Sequence, residues 1–255
     1  MRRLGRILLG VGLSVGPVAL LTPAAMASDF SAQAVTAASQ AEQIYDVETG
    51  IARIEAAAQE ANAAGAVQAA SEEVMALIGA SRGYAKSSPE RFHAEVERLL
   101  RPVIDFPRFA RSVMGVWYKR ATPAQRTEFA ESFKWTLVRT YASALTEFHD
   151  GQVRILPQRR KAKDPNKATV SMEITYQGTP YMVVYAMQRR AELWQLVNVV
   201  IEGINLRLNY RSQFDTAMKA SEHGRDLDKV IAAWTRSIQQ QGSAQTSATQ
   251  SGEST

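Results

Sequence analysis

Ile104-Asp105-Phe106-Pro107-Arg108-Phe109-Ala110-Arg111 leads into Val113-Met114-Gly115-Val116-Trp117-Tyr118, and then into Ala121-Thr122-Pro123-Ala124-Gln125-Arg126. The last of these runs is the strongest helix start in the chain. Thr122 is a cap, Pro123 fills the first helical position, and Gln125 lies three residues beyond Thr122, the spacing of a capping box. The helix it opens carries Phe129, Phe133, Leu137, Tyr141 and Leu145 at every fourth position and is expected to run to about Phe148, where Asp150-Gly151 stops it. The stretch as a whole is an apolar wall with a stiff helix start and is not built for bond-making chemistry.

Upstream, Phe109, Val113, Met114, Trp117 and Tyr118 read as one helix. Phe92, Val96, Leu99 and Leu100 form another, opened by Ser88-Pro89 with Ser88 as the expected cap and closed at Pro102. Val74, Leu77 and Ile78 mark a short stripe before it. Ile44, Val47, Ile51 and Ile54 recur at helical spacing in an Ala- and Gln-rich stretch interrupted by Gly50 and Gly65, which reads as a loosely attached helix or linker.

Downstream of Gly151 the apolar period falls from about 3.6 residues to about 2. Val153 to Leu156 is one strand. Val170, Met172, Ile174 and Tyr176 alternate with polar residues in a second. Gln177-Gly178-Thr179-Pro180 is a turn, Tyr181 to Met187 a third strand, and Trp194 to Ile201 a fourth, apolar on both faces. Short turns between successive strands predict an antiparallel meander with one buried face. Helices resume after Gly203, with Leu206, Tyr210, Phe214 and Met218 on one and Leu227, Val230, Ile231 and Trp234 on the next. Helices, then a curled sheet of four strands or slightly more, then helices again define an α+β domain, expected over residues 68–238. No internal repeat is present.

The chain begins with Arg2, Arg3 and Arg6, an apolar stretch from Ile7 to Leu21, and Ala25-Met26-Ala27, the pattern of a secretory signal (1–27) cleaved after Ala27. Residues 28–67 form the partly helical Ala/Gln-rich extension. Residues 239–255 are Gln, Ser, Thr, Ala and Gly with almost nothing to bury, and are expected to be disordered. The overall balance is 30 basic against 25 acidic residues; without the three signal arginines it is 27 against 25, or +2. That charge gives no support to nucleic-acid binding. The absence of cysteine rules out disulfides and thiolate metal sites, so an exported chain of this kind holds together by its core.

Catalytic patterns fail on inspection. Gly12-Leu13-Ser14-Val15-Gly16 matches a nucleophile elbow but lies in the signal, without the strand and helix that motif requires. His93, His149 and His223 are scattered and form no metal-binding pair. Glu72-Glu73 and Glu95/Glu97 do not share a helix face and read as solvated surface. Glu173 and Glu192 fall on an outward face or in a turn, which leaves an enzyme built in a cone without an inward acid. No cofactor and no metal are implied.

Two groups remain. The inward sheet face presents Val170, Met172, Ile174, Val183, Tyr185 and Met187, and the helices opposite present Phe109, Met114, Trp117, Phe133, Leu137 and Tyr141. Such stripes form either a filled core or, when a curved sheet wraps a long helix, a cone open to an apolar ligand. The second group is basic: Arg159, Arg160, Lys161, Lys163 and Lys167 between the first two strands, with Arg189 and Arg190 brought alongside Lys167 by antiparallel pairing. It is either a solvated loop or a rim for docking an acidic partner or anionic lipid head groups.

In order and spacing, several segments resemble the MlaC-like periplasmic phospholipid carriers, also called the toluene-tolerance auxiliary component. They are Leu99-Leu100-Arg101-Pro102-Val103-Ile104-Asp105-Phe106, Met114 to Tyr118, Ala121 to Arg126, Tyr141-Ala142-Ser143-Ala144-Leu145, Trp194 to Gly203 and Asn209-Tyr210-Arg211-Ser212-Gln213-Phe214. The resemblance covers about residues 68–238. It implies an NTF2-like cone with an apolar cavity for phospholipid tails. It also implies traffic between an outer-membrane lipoprotein complex and an inner-membrane ABC transporter with MCE-domain subunits. A related branch is associated with hopanoids, and a non-catalytic periplasmic adaptor with a filled core is the further alternative. The chain departs from the pattern in its extra Ala-rich segment, its longer polar tail, and Asn198, where many relatives have Asp.

Overall fold

The computed structural model describes residues 45–60, 62–147, 151–158, 163–220 and 226–237. The expected export signal (1–27), most of the expected extension and the polar tail lie outside the described residues. The described part belongs to a compact unit from Tyr45 onward.

The helices are α1 (Val47–Gln59), α2 (Ala63–Ala80), α3 (Pro89–Leu100), α4 (Phe106–Met114), α5 (Pro123–Glu147), α6 (Leu206–Lys219) and α7 (227–237). Their starts are written in local chemistry. Asp46, Asn62, Asp105 and Asn205 each accept a backbone N–H of the first turn. At α5, Gln125 N–H donates to Thr122 Oγ1 (3.2 Å) and Thr122 N–H to Gln125 Oε1 (2.9 Å), the reciprocal pair of a capping box. At α3, Pro89 opens the helix, but the Ser88 side chain makes no cap bond.

The helix expected from Phe109 through Tyr118 is broken. α4 ends at Met114 and a 3₁₀ turn, Gly115–Lys119, follows. Gly115 has φ 57° and ψ −121°, a conformation that a Cβ disfavours.

The sheet is an antiparallel meander in the order β1 (Gln152–Leu156), β2 (Lys167–Tyr176), β3 (Thr179–Arg190), β4 (Leu193–Ile201) and β5 (Ile204–Asn205), one short strand more than the four read from sequence. Its last three hairpins turn on Gln177-Gly178, Ala191-Glu192 and Glu202-Gly203, with positive φ at both residues of each pair. This is the type I′ geometry that matches strand twist. Thr179 and Pro180, read as turn residues, already belong to β3.

α1 is not a loose leader. It packs on α2, α3 and β4, and Ile54 and Ala58 are fully buried. Gly50 is needed there because a Cβ would collide with the Tyr45 hydroxyl and lie 2.9 Å from Leu99 Cδ1. The boundary expected at residue 68 falls inside α2. That helix lies on β1 and β2; α4 and α6 approach β4; α5 packs on α3 and α4. Between α4, α5, α6 and α7 sits an aromatic core. Phe129 meets Phe214 edge-on at 4.7 Å and Trp234 at 5.5 Å, and Phe133 meets Phe109 at 5.5 Å and Tyr210 at 5.3 Å. Edge-to-face pairs of this kind add about 0.5–1.5 kcal/mol each beyond area burial.

Candidate functional site

Directly paired residues of antiparallel strands share a face. Met172 pairs with Val183, Val170 with Tyr185, Ile174 with Tyr181, Val153 with Ile174, and Tyr185 with Val199. All six sheet positions read as inward therefore lie on one face, since Met187 pairs with Ala168 two residues before Val170. The face is graded. Val170, Met172, Val183 and Met187 are buried, whereas Ile174, Tyr181, Val153 and Ile155 keep part of their surface.

The expected opposite wall is only partly the one observed. α2, read only as a short stripe at the domain's edge, covers β2: Ser71 Oγ lies 3.4 Å from Met172 Sδ and donates to Val67 O. Phe109 and Phe133 belong to the aromatic core between helices. Met114 and Trp117 turn toward α6, where the Trp117 indole N–H donates to Asp215 (2.9 Å) and both side chains border an outer cleft. Leu137 is buried and Tyr141, one turn further along α5, is half-buried.

Two tyrosines carry the electrostatic signature of a dry site. Burial alone pushes the Tyr185 hydroxyl far above its ordinary value, although the side chain retains accessible surface. Tyr141 is pushed up by burial and by its hydrogen bond with Tyr210. Neither ionises at physiological pH, so both offer an apolar ring and a neutral hydroxyl.

On the basic rim, Arg159, Arg160 and Lys161 lie outside the described residues. Lys167 pairs with Gln188, beside Arg189 and Arg190. Arg189 does not point outward from the rim: it donates to Gln59 O (3.2 Å) at the end of α1 and pairs with Glu192. Arg190 donates to Gln188 Oε1 (2.6 Å), Lys167 pairs with Asp164 at 3.1 Å, and Lys163 is exposed.

Two carboxylates read as solvated surface are buried. Glu73 accepts from the Tyr45 hydroxyl (2.7 Å) and Arg53 (3.1 Å), and Glu97 is held by Arg101 (2.7 Å) and Lys134 (3.7 Å). These partners offset the desolvation of each charge. Neither residue is on the sheet. Glu173 pairs with Arg154 at 2.8 Å. His93 is buried between α3 and α5 with Nε2 3.1 Å from Ser143 Oγ. Among the described residues no group of three or more His, Asp or Glu could hold a metal.

A family model described as MlaC protein matches residues 68–236. The chain belongs to the MlaC protein family. It is 36% identical over 170 residues to the toluene tolerance protein ttg2D of Pseudomonas putida, covering 66% of this chain and 77% of that one. It is 22% identical over 144 residues to the intermembrane phospholipid transport system binding protein MlaC of Haemophilus influenzae, covering 55% and 67%. Among solved structures, a phospholipid-binding protein from Ralstonia solanacearum in complex with a phospholipid superposes with a TM-score of 0.60 at 26% identity, over 68% of this chain and 98% of that one. In this MlaC-family chain Ser71 had no place in the sequence reading, and Tyr181, Tyr210, Val153 and Ile155, assigned there to elements, join the candidate site only in the structure. The signal for α2 was its small residues: Ala63, Ala66 and Ala70 recur at helical spacing and are buried, which lets a helix lie close to a sheet.

Proposed function

We propose that this protein is a non-catalytic periplasmic phospholipid carrier whose acyl-chain site is the inward face of β2 and β3. The observation that carries the reading is Tyr185. Its strand neighbours and cross-strand partners are buried or apolar, its hydroxyl is raised by desolvation, and yet its side chain keeps accessible surface. A ring clasped on all sides would be fully covered; accessible surface beside buried apolar neighbours supports a face left open to an apolar ligand. The grading from buried Met172/Val183 to half-buried Ile174/Tyr181 supports a site that opens toward the Gln177-Gly178 hairpin. Lys163 and Lys167, with Arg159, Arg160 and Lys161, serve lipid head groups or an acidic docking partner.

Binding needs no catalytic group. Burying a methylene is worth about 0.8 kcal/mol, so two chains of ~15 carbons gain on the order of 20 kcal/mol against water. Against a bilayer the exchange is one hydrocarbon setting for another, with a net change near zero. That balance permits loading at one membrane and release at the other, between an outer-membrane lipoprotein complex and an MCE-domain ABC transporter, in keeping with the family.

The test is to purify the exported protein without detergent, unfold it, and analyse the organic extract by mass spectrometry. Phospholipid near one molecule per chain is expected. A sterol-like polycyclic extract would reassign the ligand to hopanoids, and reproducibly lipid-free protein would overturn the reading.

A further inference from the structure

Above the buried side chains of Met114 and Trp117, the 3₁₀ turn Gly115–Lys119 and α6 border a cleft of about 440 Å³. Its lips are apolar and open: Val116 is 65% and Leu208 53% exposed, the two most exposed large apolar side chains among the described residues. Its floor is fixed. The Trp117 indole donates to Asp215, Lys219 pairs with Asp215 at 2.6 Å, and Arg120 stacks on the Trp117 ring at 5.0 Å. Asp215 is therefore already occupied. Arg211, exposed above Gly115, makes no ion pair within 4 Å among the described residues. The surrounding charge is net positive: Arg211 and Lys219 line the cleft against the single carboxylate of Asp215, which both attract, and no Asp or Glu occurs between Phe106 and Thr127, while Arg111, Lys119 and Arg120 are exposed there.

We propose that this cleft docks an acidic segment of a partner protein, with an apolar side chain of that segment seated between Val116 and Leu208 and a neighbouring carboxylate on Arg211. Positive charge around the cleft complements an acidic strand or helix and excludes a basic one. Concavity favours a protein over a lipid surface. A bilayer is met by apolar side chains that protrude from an amphipathic face, whereas here they flank a hollow shaped for an inserted side chain. The site goes beyond the carrier reading, since it lies outside the sheet's inward face and uses none of its residues.

The test uses ¹⁵N-labelled full-length mature protein and follows the Trp117 indole N–H, assigned with Trp117→Phe. Three probes are compared: a synthetic peptide with two leucines flanked by glutamates, its lysine counterpart, and phosphatidylglycerol vesicles. The acidic peptide is expected to give a saturable shift with Kd below about 1 mM, and the other two none. Leu208→Ser and Arg211→Glu should each weaken it about tenfold, as should Val116→Ser, whose position is 65% exposed and carries little folding liability. No saturable shift, an equal shift with the lysine peptide or vesicles, or an undiminished shift in the variants overturns the proposal. Phospholipid extracted from the same preparations reports separately on the carrier reading and is expected to be unchanged in Leu208→Ser and Val116→Ser.

Discussion

Arg189 and Trp194 are register partners across β3 and β4, and both donate to the closing carbonyls of α1: Arg189 to Gln59 O at 3.2 Å and the Trp194 indole to Glu60 O at 3.1 Å. The last turn of α1 has no basic residue of its own. A helix C-terminus carries orphan carbonyls and partial negative charge, and here the far end of a hairpin supplies both the donors and the cation. This contact fastens a helix from the Ala-rich extension onto the sheet.

Removing it should loosen α1 first. Arg189→Met and Trp194→Phe are each expected to cost about 1 kcal/mol, the usual net worth of a hydrogen bond. Amide exchange in residues 47–60 should rise more than exchange in β2 and β3. Uniform protection across the variants would show that these bonds do not hold the helix.

Gly115 tests the reason for the break between α4 and the 3₁₀ turn. Alanine there meets an unfavourable positive φ and puts a Cβ 2.8 Å from Arg211 Nε. Gly115→Ala is expected to destabilise the fold by about 1–3 kcal/mol, read as a lowered urea midpoint with an unchanged slope.

The β3–β4 hairpin offers the opposite experiment. Ala191 and Glu192 occupy a type I′ turn with φ 43° and 67°, and neither is a residue that favours that conformation. Ala191→Asn is expected to stabilise by about 0.5–1 kcal/mol by relieving left-handed strain. An unchanged or lowered Tm would mean that the turn is relaxed as it stands.

The proposed acyl-chain site can be tested without dismantling the core. Ile174 is half-buried at the open end of the inward face. Ile174→Arg places a charge where lipid tails would lie, a placement costly without a partner. Co-purified phospholipid should drop about tenfold or more, the size of one such penalty, with circular dichroism preserved. Full lipid occupancy in this variant would move the site elsewhere.

His93 sets an acid limit on stability. Burial holds its imidazole below its ordinary value of 6.5; Glu90 opposes that shift and Arg139 adds to it. Between the folded value and 6.5 the unfolded chain therefore binds more protons than the folded one. The stabilisation is complete above 6.5 and is lost as pH falls through that window. His93→Gln should flatten this part of the stability–pH curve, which urea titrations from pH 7 to pH 4.5 would reveal.

Much of this was legible in the sequence because it is local. The Thr122/Gln125 capping box, the change of period after Gly151 and the alternation of Val170, Met172 and Ile174 depend only on neighbours within a few residues, and each appears in the structure where it was read. Periodicity also marked Glu73 and Glu97 as separate helix positions. It could not reveal their burial, because their partners Tyr45, Arg53 and Lys134 come from other elements. The break at Gly115 was missed for a different reason: the apolar spacing continues across it, and only the backbone angle shows the reversal.

Side-chain period and capping chemistry along the chain fix which apolar stripes turn away from water, where the helices begin and how the strands alternate. What covers each face emerges from the packed fold alone: α2 over Met172, the aromatic core around Phe133, Trp117 toward Asp215 and Arg189 onto α1. A pattern of burial states that a face must be covered, but the covering element is chosen by contacts between segments far apart in sequence, and long side chains such as Arg189 and Trp117 take their partners only once those segments have met.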